Sequence, residues 1–164
     1  MRRTVSVNIG SNLGDREANL RHAVDEIARR TGCSPRVSRI YESEAWGYLS
    51  DNPFFNVAVE IDSDLPIDRL LDIFQSIERD AGSACHRNAD GSYADRRLDI
   101  DIVYAGSLTL ATDRLRLPHP RMEQREFVLA PLCELSPQWR HPVSGLTAAE
   151  MLERLRASDK TDKK

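Results

Sequence analysis

Residues 96–104, Arg96-Arg97-Leu98-Asp99-Ile100-Asp101-Ile102-Val103-Tyr104, alternate apolar and acidic side chains through their middle. Strand side chains alternate between faces, so Leu98, Ile100 and Ile102 can enter a core while Asp99 and Asp101 stand side by side on the opposite face. The segment is therefore expected to form a strand of a sheet with one packed face and one working face. Two like charges this close are tolerable at a surface, where water screens them. In a cleft the remedies are a bound cation, a shared proton or an arginine partner. A metal-dependent enzyme is the first reading.

The 164 residues fit one domain, expected over residues 1–157 with a frayed tail at 158–164, and suffice for a core without disulfides. Cys33, Cys85 and Cys133 are odd in number and widely spaced, which suggests reduced thiols rather than a disulfide framework or a zinc site. A net charge of −3 and a pI near 5.8 provide no global basic field for nucleic acid, so phosphate binding would fall to local arginines. No apolar run approaches the roughly 20 residues of a membrane span. Met1-Arg2-Arg3-Thr4 runs straight into a strand pattern, and the expected location is cytoplasmic.

Thr4 to Ile9 reads as a strand, Gly10-Ser11-Asn12-Leu13-Gly14-Asp15 as a turn ending at a helix cap, and Leu20, Val24, Ile27 and Ala28 as a helical stripe closed by Gly32. Residues 36–42 and 54–62 read as strands, the second with Phe55, Val57, Val59 and Ile61 on one side. A second helix begins at Pro66 and buries Ile67, Leu70, Leu71, Phe74 and Ile77 before Gly82. The polar stretch 82–97 exceeds the roughly 12 to 15 residues of an ordinary loop and is a candidate lid. With the aspartate strand the order becomes strand, helix, strand, strand, helix, strand. That is the ferredoxin-like βαββαβ signature of an α+β fold, with a mainly antiparallel sheet, helices on one face and the other face open for a ligand. Short strands are expected over 106–120, a third helical region over 121–134, and a last helix opened by a capping box of Thr147 and Glu150.

Several side chains could carry chemistry, each against a plain structural alternative. Gln75 and Glu78 share a helix face, which by itself describes a solvated surface. Arg87, Arg96, Arg97, Arg114, Arg116, Arg121 and Arg125 cluster in the lid or after the aspartate strand and could converge on a polyphosphate, although exposed arginines are the ordinary case. His119 stands between Pro118 and Pro120 in a rigid turn, with no second ligand at metal spacing. Phe54, Trp46, Tyr48 and Phe127 lie near loops, where two rings can sandwich a flat ligand. The Gly10–Gly14 turn lacks both the dinucleotide fingerprint and a P-loop ending.

As an ordered set, these segments resemble the 6-hydroxymethyl-7,8-dihydropterin pyrophosphokinase family. The matching landmarks are Gly10-Ser11-Asn12-Leu13-Gly14-Asp15, Phe54-Phe55-Asn56, Gln75-Ser76-Ile77-Glu78, Asp95 through Asp101, Leu117-Pro118-His119-Pro120-Arg121-Met122, and Arg125 through Leu132. The resemblance implies diphosphate transfer from ATP to the hydroxymethyl group of the pterin, giving AMP and the pterin diphosphate, in folate biosynthesis. It implies that Asp99 and Asp101 hold two magnesium ions. Phe54 and Phe127 would clamp the pterin, with Asn56 and backbone of the 43–47 loop at its edge and Ser43 and Trp46 lining it. Gln75, Arg114, Arg116, His119 and Arg125 would bind the nucleotide, with Glu78 and Ile102 in the same region and Arg96 at the reacting groups. A monomer acting on small molecules is expected. The chain departs from many members after Gly82, where Ser83-Ala84-Cys85-His86 replaces arginines, and at Tyr93 in place of tryptophan, which leaves Arg87 as the suggested phosphate contact of the lid.

Two other classes compete. A non-catalytic ferredoxin-like module would leave Asp99 and Asp101 solvated and indifferent to magnesium. A different magnesium-dependent nucleotidyl or phosphoryl transferase would release ADP or free diphosphate instead of AMP.

Overall fold

The computed structural model describes residues 2–44, 52–82 and 97–162. Its elements run β1 (Arg3–Ser11), α1 (Arg16–Thr31), β2 (Arg36–Val37), β3 (Tyr41–Ser43), β4 (Phe54–Ser63), α2 (Ile67–Asp80), β5 (Asp99–Ala105), β6 (Leu110–Ala111), β7 (Arg116–Leu117), α3 (Glu126–Leu135) and α4 (Ala148–Asp162), with a short 3-10 turn at Met122–Gln124 before α3. The main sheet has the order β2-β4-β1-β5, with β3 also on β4, and all its pairings are antiparallel. Through β5 this is the expected ferredoxin-like order.

Local signals act as their chemistry dictates. Asp15 caps α1 by accepting the Ala18 N–H at 3.1 Å, and Gly32 ends it with φ +72°, a left-handed conformation that glycine adopts without steric cost. Thr147 and Glu150 form the reciprocal capping box of α4. That helix continues to Asp162, past Ser158, where a frayed tail was expected.

The residues expected to form one strand over 36–42 form two. Ser38 accounts for the break: its hydroxyl accepts the Ala58 N–H at 2.9 Å, and the next N–H, that of Arg39, donates to the Glu134 carboxylate of α3 instead of to the sheet. Polar side chains have taken the ladder's place.

Val5, Val7 and Ile9 of β1, Val57, Val59 and Ile61 of β4, and Ile100 and Ile102 of β5 pack against Leu20, Ala23 and Ile27 of α1 and Leu70, Phe74 and Ile77 of α2. The opposite face is not wholly open, contrary to the expectation. Val103 and Tyr104 there pack with Met122, Val128, Leu129 and Leu132 and with Ala148 and Met151 of α4. The register explains how two successive residues reach one face. Ser6 pairs with Tyr104 but Val7 with Ile102, so Val103 is a bulged residue that resets the alternation.

Under the covering helices lies a buried polar cluster. Glu60 accepts from Tyr104 Oη at 3.0 Å, from Ser136 Oγ at 2.9 Å and from Arg36 at 3.4 Å. Trp139 stacks on the Tyr104 ring at 4.0 Å. Burial first, and then the neighbouring Glu60, hold the Tyr104 phenol well above its ordinary range, so it acts as a neutral donor. The C-terminal helices are thus bonded as well as packed onto one half of the face, and the half at Gly10, Asn56 and Asp99 is left as the working surface.

Candidate active site

The register lays out that surface in rows. Asn56 of β4, Gly10 of β1 and Asp99 of β5 are direct neighbours across three strands, and Ala58, Asn8 and Asp101 form the next row. With adjacent strands about 4.8 Å apart, Asn56 and Asp99 are roughly 10 Å from one another. The acidic pair and the amide therefore share one face at the spacing of a small ligand.

At the Asn56 end, the amide nitrogen donates to Ser43 Oγ at 2.8 Å and to the Tyr41 carbonyl at 3.2 Å. A carbonyl can only accept, so Tyr41 fixes which way the amide points. Asn56 Oδ1 is thereby turned over Gly10, where an added Cβ would stand 3.2 Å from it and 3.2 Å from the Phe54 ring. Gly10 is the residue that lets ring and amide approach the strand. Residues following β1 hold the neighbouring chain: Asn12 donates to the Asn52 carbonyl and Arg16, the first residue of α1, to the Pro53 carbonyl at 2.8 Å, with the Arg16 guanidinium 3.9 Å above the Phe55 ring. Asn12 and Arg16 anchor the approach to Phe54, a role the sequence reading did not assign to them.

At the aspartate end, a cavity of about 500 Å³ is lined by Gln75 and Glu78 of α2, by Asp99, Asp101 and Ile102 of β5, and by Arg114, Arg116 and His119. Eight of the expected site residues thus meet in one space. Arg114 donates to Asp72 at 2.6 Å and to Gln75 at 3.4 Å, tying the β6–β7 hairpin to α2. Glu78 is buried and accepts the Ile100 N–H at 3.0 Å. In this structure it braces the backbone between the two aspartates.

His119 hangs on the same strand, its N–H donating to the Val103 carbonyl at 2.8 Å. Its Nδ1 accepts the Arg121 N–H at 3.2 Å, which assigns the proton of the neutral ring to Nε2. Burial, then the Arg125 charge, push the imidazole down to about 4, against the opposing pull of Asp99. Near neutral pH it is an uncharged N–H donor. Arg125 lies 5.6 Å from the Phe127 ring centroid and close enough to His119 to affect its charge. Phe127 sits at the start of α3, packed against the second core.

Trp46, Arg96, Arg87 and Tyr93, and the lid segment at 83–96, lie outside the described residues. Among the described residues no three His, Cys, Asp or Glu side chains gather around one point. Two neighbouring carboxylates beside arginines remain a donor set suited to magnesium, which keeps several waters and takes its other ligands from substrate phosphates. No helix among the described residues is long and apolar enough to cross a membrane.

A βαββαβ sheet that sets paired carboxylates beside an arginine-lined cavity is an arrangement suited to phosphoryl-group transfer. The family model for 7,8-dihydro-6-hydroxymethylpterin-pyrophosphokinase matches residues 6–137. The 2-amino-4-hydroxy-6-hydroxymethyldihydropteridine pyrophosphokinase of Porphyromonas gingivalis is 42% identical over 139 residues, 84% of this chain and 93% of that one. The enzyme of the same name from Bacillus subtilis is 39% identical over 133 residues, 80% of this chain and 77% of that one. Among solved structures, Plasmodium falciparum HPPK-DHPS with pteroate superposes with a TM-score of 0.70 at 13% identity, covering 99% of this chain and 44% of the other. That likeness shows the fold, and this chain spans less than half of the solved one. The chain belongs to the 7,8-dihydro-6-hydroxymethylpterin-pyrophosphokinase family, the pyrophosphokinases of folate synthesis.

Proposed function

We propose that the two ends of the working face divide the reaction between them, with the nucleotide phosphates in the cavity at Asp99 and Asp101 and the pterin ring at Phe54, Asn56 and Phe127. The observation that carries this reading is the row Asn56–Gly10–Asp99, which sets the Asn56 amide and the acidic cavity on one continuous face of the sheet. The hydroxymethyl oxygen attacks the β-phosphorus of ATP. The bond from that phosphorus to the α–β bridging oxygen breaks, and AMP departs with that oxygen. Such a transfer needs positioning and charge stabilisation more than covalent catalysis, so no general base is assigned.

Each side chain has a separate task. Asp99 and Asp101 would hold two magnesium ions, which when bound neutralise phosphate charge. Arg114, Arg116 and Arg125 offer guanidinium forks to phosphate oxygens, and Gln75 and Ile102 contribute to the nucleotide pocket. His119 Nε2 donates a hydrogen bond without adding charge. Glu78 keeps β5 in register with the cavity. Asn56 Oδ1 accepts from the pterin edge, Ser43 holds Asn56, and the rings of Phe54 and Phe127 stack on the two pterin faces. The family resemblance adds Arg96 for the reacting groups and Trp46 for the pterin, both outside the described residues, and the single-domain chain acts as a monomer in the cytoplasm. Incubation with ATP, magnesium and 6-hydroxymethyl-7,8-dihydropterin should give AMP and the pterin diphosphate in equal amounts. Formation of ADP or of free diphosphate would assign a different transfer, and no turnover with or without magnesium would favour a binding module.

A further inference from the structure

Helix α3 carries Pro131 in its interior. Proline has no N–H to offer the carbonyl four residues before it, here that of Phe127, and its ring pushes that carbonyl away from the helix. A donor comes instead from the sheet: Asn8 Nδ2 donates to Phe127 O at 3.0 Å. Asn8 is buried, and on β1 it stands between Ala58 on one side and Asp101 on the other. One amide thus joins the central strand of the working face to the first turn of the helix that bears an aromatic clamp.

We propose that Asn8 is a positioning residue for pterin recognition. By pairing the carbonyl that Pro131 leaves without its helical donor, it fixes the first turn of α3 and with it the angle at which the Phe127 ring meets the ligand. The inference rests on the reading of Phe127 as one face of the pterin site. It assigns Asn8 no contact with the nucleotide, so its effect should fall on one substrate. A residue that merely supported the fold would act on both.

The test compares Asn8→Ala, Phe127→Ala and the double variant Asn8→Ala/Pro131→Ala, by fluorescence titration with 6-hydroxymethylpterin and by separate KM values for pterin and ATP. Loss of one buried hydrogen bond from the positioning of the ring should raise the pterin Kd and KM roughly fivefold to tenfold in Asn8→Ala, with the ATP KM changed by less than about twofold. The double variant should recover most of the pterin affinity, because alanine at position 131 restores an N–H to the helix. If Asn8→Ala does not fold, Asn8→Leu, of similar volume and without a donor, reads the same loss. Equal changes in both KM values, an unchanged pterin Kd, or no recovery in the double variant would overturn the role of Asn8, while a weakened Phe127→Ala would leave the clamp standing. An unaffected Phe127→Ala would overturn the clamp, and the inference with it.

Discussion

The Glu78 carboxylate of α2 accepts the backbone N–H of Ile100, 3.0 Å away, on the outer edge of β5 and between the two aspartates of the active face. An edge strand presents N–H groups that the sheet leaves unpaired. Here the neighbouring helix covers one with a side-chain hydrogen bond and locks the segment that carries the acidic pair.

Removing that carboxylate should therefore harm both stability and catalysis. Glu78→Ala leaves a buried N–H without an acceptor and is expected to cost about 2 kcal/mol. It should also lower turnover at least tenfold, because Asp99 and Asp101 lose their common support. Glu78→Gln retains an acceptor oxygen and should keep most of both. Thermal unfolding and steady-state AMP formation measured on the two variants check the difference.

Gly10 gives a sharper steric test. A methyl group at that position meets both Asn56 Oδ1 and the Phe54 ring at 3.2 Å, and Asn56 is held by Ser43 and Tyr41 and has little room to retreat. Gly10→Ala should weaken pterin binding about fivefold or more, within the range of overpacking costs, and leave ATP binding nearly as it was. Titration with each ligand separately reads this out.

His119 provides the pH dependence. Its folded-state value of about 4 lies below the ordinary 6.5, so the unfolded chain binds the extra proton more readily between those values. The contribution of the neutral ring is complete above about pH 6.5 and is lost as the pH falls toward 4. Unfolding measured across that window should show the wild type losing on the order of 2 kcal/mol more than His119→Gln. Parallel curves for the two proteins would reject the burial of a neutral imidazole.

Much of this architecture is visible in the amino-acid order because its signals are local. Asp15, Gly32 and the Thr147–Glu150 pair mark helix ends through bonds spanning a few residues, and Leu98, Ile100 and Ile102 sort themselves by strand periodicity. Gln75, Arg114, Arg116 and His119, each named from the sequence, line one cavity with Asp99 and Asp101. What remained hidden depends on residues far apart in the chain. The break at Ser38 needs Ala58 and Glu134, the bulge at Val103 shows only against β1, and α3 and α4 cover half of the sheet through Glu60, Tyr104 and Ser136. Asn8 looks like an ordinary polar strand residue until Pro131 explains what it is bonded to. Gly10, read from the sequence as part of a turn, belongs to β1, and the close approach of Phe54 to it shows only across the sheet.

The central claim is that the carboxylates of Asp99 and Asp101 organise the transfer. AMP formation by Asp101→Ala, from ATP and 6-hydroxymethyl-7,8-dihydropterin at saturating magnesium, tests it most directly. Asp101 is partly exposed at the working face, outside both apolar cores, so the variant should unfold within a few degrees of the wild type and yet lose roughly a thousandfold or more in turnover. AMP released at the wild-type rate by the folded variant would contradict the account.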